Sequence, residues 1–101
     1  MKKLRLIVTA TAKADLKNIY DFIAQESSQA AERFTKDLTG ELIKLTKRGL
    51  IGSPRDYISQ GLRMYPYKKR CFYFRVIDDK LFVIRVLHSR QDVDSQEFPE
   101  S

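Results

Sequence analysis

The sequence predicts an α+β domain with helices and strands kept apart. Three observations predict it: two consecutive stretches of helical periodicity between Thr9 and Gly49, three period-two stretches between Leu62 and His88, and a length of 101 residues that admits one two-layer core. The first element is Lys3 to Val8, short and rich in β-formers. Thr9 then caps a helix whose apolar positions Ala12, Leu16, Ile19 and Ile23 recur at spacings of four, three and four, which carries it to about Gln25. Ser27 and Ser28 break it and offer a new cap. Ala31, Phe34, Leu38, Leu42 and Leu45 then continue at helical spacing to the stop signal Lys47-Arg48-Gly49. The outward residues, including Lys17, Asp21, Glu32, Arg33, Lys36, Asp37, Glu41 and Lys44, alternate in sign as on a solvated face.

Residues Gly49 to Gly61 contain Gly49, Gly52, Pro54 and Gly61 with no sustained period, and are expected as a connecting loop. Leu62–Tyr67 and Cys71–Ile77 flank the basic turn Lys68-Lys69-Arg70, and Asp78-Asp79 turns the chain tightly into Leu81–His88. A three-stranded meander follows. Alternation assigns Phe72, Phe74, Val76, Phe82, Ile84 and Val86 to the face that packs on the helices, and Arg63, Tyr65, Tyr67, Tyr73, Arg75, Val83 and Arg85 to an open face. The domain is expected over residues 1–92. Residues 93–101 form an acidic, loosely held tail.

Between Leu62 and Arg90 lie eight cations, Arg63, Lys68, Lys69, Arg70, Arg75, Lys80, Arg85 and Arg90, against the acids Asp78 and Asp79, so the formal net charge of +6 falls on this segment. Such a surface attracts acidic partners, protein or nucleic acid. One cysteine excludes an internal disulfide, and one cysteine with one histidine cannot complete a structural zinc site, so no metal or cofactor is expected. The apolar run Leu6–Val8 is too short for a signal peptide or a membrane span, which points to the cytoplasm. His88 reads either as a general acid or base or as the end of a core strand. Cys71 reads as a small apolar strand residue. Glycine-rich phosphate loops, paired carboxylates and nucleophile elbows are lacking.

The order of these pieces resembles one family. Thr9-Ala10-Thr11-Ala12-Lys13-Ala14-Asp15-Leu16 with Ile19, Tyr20 and Ile23, then Ala30-Ala31 with Phe34, Gly52, Gly61-Leu62-Arg63, Phe74-Arg75-Val76 and Ile84-Arg85-Val86-Leu87-His88-Ser89-Arg90 resemble the ParE branch of the RelE/ParE toxins of bacterial type II toxin–antitoxin systems. The resemblance runs from about Leu6 to Asp92. It implies a two-layer RelE-like fold: an N-terminal strand, a helix hairpin, and a three-stranded antiparallel meander completing one sheet in which the first strand lies beside the last. It also implies growth arrest unless a cognate antitoxin, ParD-like or related, sequesters the toxin.

The two branches act differently. RelE-like members cleave messenger RNA on the ribosome through the ribose 2′-hydroxyl, and here Arg63, Arg85 and His88 are the residues that could supply proton transfer and charge stabilisation. Many such nucleases carry a tyrosine near the end of the last strand or a carboxylate in the loop before the sheet. This chain has Ser89 after His88, no tyrosine beyond Tyr73, and only Asp56 in the loop. Its His-Ser-Arg-Gln-Asp ending resembles the ParE-type ending, which implies a non-enzymatic inhibitor of DNA gyrase, touching nucleic acid only through the gyrase–DNA complex. An inactive relative that only binds an antitoxin is the third class. The expected antitoxin contacts are Ile19, Tyr20, Ile23, Phe34 and Leu38, and the expected target contacts are Arg63, Arg75, Arg85 and Arg90. Arg75 and Arg85 share an alternation phase and could instead be tied internally by Asp92 or Asp94.

Overall fold

A computed structural model describes residues 3–48 and 52–99. The elements run β1 (Arg5–Val8), α1 (Ala10–Ala24), α2 (Ser28–Arg48), β2 (Ser53–Pro54), β3 (Arg63–Tyr67), β4 (Arg70–Ile77) and β5 (Lys80–His88), followed by a 3-10 turn at Val93–Ser95. Gly49, the last residue of the expected helix stop, lies outside the described residues. Strand order is β1-β5-β4-β3-β2, with β1 parallel to β5 and the other pairs antiparallel. The first strand thus lies beside the last, and the expected α+β architecture is present. One strand exceeds the expectation. The loop after α2 contributes β2, which pairs Ser53 with Met64 and Pro54 with Arg63.

Thr9 makes the junction between strand and helix. Its amide and its hydroxyl both donate to the Val83 carbonyl, at 3.2 and 2.7 Å, while its Oγ1 accepts from the Ala12 amide at 3.3 Å. One residue therefore closes the β1–β5 pairing and caps α1. Ser27 caps α2, accepting from the Ala30 amide at 3.1 Å. The principal core lies between hairpin and sheet: Ala12, Leu38, Leu42 and Leu45 from the helices meet Phe72, Phe74, Leu81, Val83 and Val86. Each fully buried leucine or phenylalanine contributes about 1.5–3 kcal/mol relative to exposure.

The strand phases differ from the alternation reading. The two-residue turn pairs Ile77 with Lys80, and therefore Val76 with Leu81 and Phe74 with Val83, so Leu81 and Val83 face the helices where Phe82 and Ile84 were expected. A bulge then shifts the register between Tyr73 and Phe74, setting Tyr73 opposite Arg85 and returning Val86 to Phe72. In β3, Tyr65 pairs with Phe72 and lies on the helix side together with Tyr67. Their hydroxyls donate to Glu41 at 2.9 Å and Asp37 at 2.8 Å, so Glu41 is buried and Asp37 half-buried rather than solvated.

The other face is not open. Leu62, Tyr73, Ile84 and Leu87 form a second buried cluster, joined by Ile58 and Met64, by Cys71 and Phe82, and by Val93 and Phe98. Loop and tail cover it. Residues 93–99, expected as a loose tail, instead lie back over the sheet: the Phe98 ring meets Tyr73 edge-on at 5.0 Å, and the carbonyls of Glu97 and Pro99 accept from Arg85 and Arg75.

Candidate functional site

The four expected target arginines are not gathered on one face. Arg75 is 6% exposed and fully engaged: it donates to the carbonyls of Gln60 and Pro99 at 3.2 and 2.9 Å and to the Ser59 hydroxyl. Burial on this scale takes it out of any contact surface. Arg85 closes a bidentate pair with Asp15, Nε to Oδ2 at 2.7 Å and Nη2 to Oδ1 at 2.9 Å, with each side chain 11% exposed. Asp15 Oδ2 also accepts from the Val86 amide at 2.9 Å. The physical reason lies in β1, whose pairing to β5 ends at Val83, so the following edge of β5 needs another acceptor. Asp15 supplies it from the second turn of α1 and holds the Arg85 proton more firmly. The internal tie anticipated for these two arginines exists, but its partners are Asp15 and backbone carbonyls rather than Asp92 or Asp94.

Arg63 lies elsewhere. It stands opposite Phe74, which stands opposite Val83, and Nη2 donates to the Gly52 carbonyl at 3.0 Å. From Val83 to His88 is roughly 17 Å of strand at about 3.4 Å per residue. Arg63, Arg85 and His88 therefore do not converge on one reacting atom. Asp56, the one loop carboxylate, accepts from the Gly61 amide at 2.8 Å and pins the loop. Arg90 is exposed beyond β5.

A different constellation is built where α1 crosses the free ends of β4 and β5. Asp15, Asn18, Ile19 and Phe22 share one face of α1 at helical spacing and, with Arg70, Val86, His88 and Gln91, line a cleft of about 280 Å³. Phe22, 71% exposed, stands between this cleft and a second hollow of about 270 Å³ that contains Ile23 and Ala30. The Arg70 guanidinium lies 5.3 Å from the centroid of the Phe34 ring, over its face, and Arg70 Nε is buried without a hydrogen-bond partner. Phe34 in turn borders a third hollow with Arg33, Asp37 and Lys68.

His88 sits opposite Arg70 in the β4–β5 pairing. Its Nδ1 accepts from the Arg90 amide at 3.0 Å, and its backbone amide donates to Gln91 Oε1 at 2.7 Å. Burial, with Arg70, Arg90 and Lys69 nearby, pushes its pKa below the usual histidine value, so neutral imidazole with its proton on Nε2 is favoured.

Of the expected antitoxin contacts, Ile19, Ile23 and Phe34 border these hollows, while Tyr20 is half-buried and lines none of the three. Leu38 is 0% exposed and belongs to the core, because it faces the sheet from the middle of α2. Phe22 and Arg70 line the cleft beside His88 and are not among the expected contacts. Phe22 had a signal, since a phenylalanine placed off the stripe Ala12-Leu16-Ile19-Ile23 has no core to enter. Among the described residues no group of three or more His, Cys, Asp or Glu could hold a metal ion, and no helix is long and apolar enough to cross a membrane.

No curated protein matches the chain. A solved structure described as the chromosomal ParDE TA system from P. aeruginosa is similar in fold, with a TM-score of 0.71 and 21% identity, covering 85% of this chain and 96% of that one. The family described as ParE toxin of type II toxin-antitoxin system, parDE, matches residues 6–93, a span that takes in the Thr9 junction, the Asp15–Arg85 clamp and the Arg70 cleft alike. On that match over nearly its whole length, the chain belongs to the ParE toxin family of type II toxin–antitoxin systems.

Proposed function

We propose that this toxin inhibits DNA gyrase by binding rather than by catalysis, that it does so in the cytoplasm, and that a cognate antitoxin neutralises it by occupying the surface of α1 and α2 around Phe22. The observation that carries the non-catalytic reading is the Asp15–Arg85 clamp. A nuclease needs free cations beside the scissile phosphate, and here the central arginine is neutralised by a carboxylate at 2.7 Å while Arg63 sits beside Gly52. The antitoxin reading is supported by Phe22 and its flanking hollows, since an exposed aromatic between two depressions of mixed apolar and polar lining suits an amphipathic segment laid across them. Arg90, exposed past β5, and Arg63, half-buried on β3, are the remaining candidates for contact with the target.

The test is a gyrase supercoiling assay with purified full-length toxin, with and without its co-encoded antitoxin, run beside a ribosome-dependent messenger cleavage assay. Inhibition that antitoxin reverses, with messenger intact, is the expected result. Messenger cleaved by the wild type and not by His88→Ala would establish the ribonuclease in its place.

A further inference from the structure

Arg70 Nε is the buried side-chain polar atom that lacks a hydrogen-bond partner among the described residues. A desolvated guanidinium N–H left unpaired is costly, and such groups usually mark the place of a missing partner. Among the described residues, the two acids beside it are already engaged. Asp15, on the wall of the same cleft, already accepts from Arg85 twice and from the Val86 amide. Asp37, near the neighbouring hollow, is taken by Tyr67 and Lys68. The surroundings add positive charge, since Arg70, Arg90 and Lys69 all disfavour protonation of His88.

We propose that the Arg70 cleft receives one carboxylate side chain of the antitoxin, an Asp or Glu flanked by apolar residues that lie against Ile19, Phe22 and Ile23. This rests on the antitoxin reading given above and specifies its central polar contact. The guanidinium is held over the Phe34 ring, 5.3 Å from its centroid, so little freedom is lost when a carboxylate engages it. A cleft of about 280 Å³ lies below the usual range for whole ligands and suits a side chain or two. Its walls favour a protein segment over a nucleic-acid backbone. Ile19, Phe22 and Val86 are apolar and suit the apolar flanks of a peptide rather than a run of phosphates, and the amides Asn18 and Gln91 can serve a single acid.

The experiment measures affinity of full-length toxin for its co-encoded antitoxin by calorimetry, with Arg70→Gln in the toxin and each antitoxin Asp or Glu changed in turn to its amide. Arg70→Gln should weaken binding by about tenfold or more, one antitoxin carboxylate should match that loss, and the two changes together should cost no more than either alone. A cooperative thermal transition of the variant shows that it stays folded, so that the loss reads the contact and not the fold. As an independent probe, millimolar N-acetyl-Leu-Glu-Leu amide should shift the Arg70 Nε–H resonance of the isotopically labelled toxin, and the Leu-Gln-Leu counterpart should not. Unchanged affinity of a folded Arg70→Gln toxin overturns the assignment while leaving antitoxin binding standing. A shift produced by a thymidine dinucleotide and not by the glutamate peptide overturns it in favour of a phosphate site. Failure of the wild type to bind antitoxin at all removes both readings.

Discussion

At the scale of single residues, Asp15 has the widest reach, because one carboxylate ties α1 to β5, neutralises Arg85 and completes the edge of the sheet. Removing it leaves a mostly buried guanidinium and a backbone amide without their acceptor. Asp15→Ala should therefore cost about 3 kcal/mol or more, read by urea unfolding, since breaking one side of a buried pair strands the other charge. A loss within about 0.5 kcal/mol, the range of ordinary surface changes, would show that solvent takes over the role. His88 gives a second prediction. Its proton affinity is lowered by burial and then by Arg70, Arg90 and Lys69, so its titration midpoint followed by NMR should fall below about 6.5, and Arg70→Gln should raise it. The sign for stability follows from which state binds the proton first. As pH falls through about 6.5 the unfolded chain protonates before the folded one, so this group's contribution is full above that value and declines below it. A midpoint at or above 6.5 would contradict the cationic surroundings. Neither role could be read from the chain. Asp15 was visible as part of a resemblance, but its partner is 70 residues away and nothing local announces the pairing.

At the scale of elements, helices were legible and strand faces were not, for a reason that particular residues make plain. Thr9 and Ser27 act within three residues of themselves, and each leucine of α2 recurs on a stripe that only one face can satisfy. Cys71-Phe72-Tyr73-Phe74, by contrast, is apolar at every position, because both faces of β4 are covered. Alternation then holds no information about which face is which. The bulge opposite Tyr73 compounds this by changing the phase halfway along β5. Tyr65 and Tyr67 were misplaced for a related reason, as a tyrosine is at home on either side provided its hydroxyl finds a partner, here Glu41 and Asp37. The short strand β2 depends on close approach. Gly52 has φ +82°, and a Cβ there would lie 2.5 Å from the Met64 carbonyl oxygen. Gly52→Ala should therefore push β2 off β3 and cost about 1–3 kcal/mol, combining left-handed strain with the clash. Amide exchange should quicken at Met64 while the β4–β5 amides stay protected. A neutral effect would mean that the β2 pairing contributes nothing.

At the scale of the whole molecule, the charge excess noted in the last third of the sequence divides between two uses. Arg75 and Arg85 are spent internally as ties, and Arg70, Lys69 and Arg90 surround the cleft by His88. The internal ties explain why a chain of 101 residues can cover both faces of its sheet. Helices alone cover one face, so the other must be closed by irregular chain, whose backbone groups need partners as they cross apolar surface. Arg75 bonds the carbonyls of Gln60 in the loop and Pro99 in the tail, and Arg85 that of Glu97, so two arginines fasten both coverings to the sheet. Phe98 fills the space between them against Tyr73. Ending the chain after Asp92 should thus uncover Tyr73, Ile84 and Leu87 and leave part of the Arg75 guanidinium without acceptors. The expected loss is about 2–4 kcal/mol, of which Phe98→Ala alone should reproduce the larger part, as truncation of a packed aromatic does. Dye binding to exposed apolar surface should rise in the shortened chain, whereas the affinity for antitoxin should hold at temperatures where it stays folded, because the α1–α2 surface lies across the sheet from the tail. If the shortened chain unfolds at the same urea concentration as the full one, the second cluster is stable without its cover and the arginine ties to Glu97 and Pro99 are incidental.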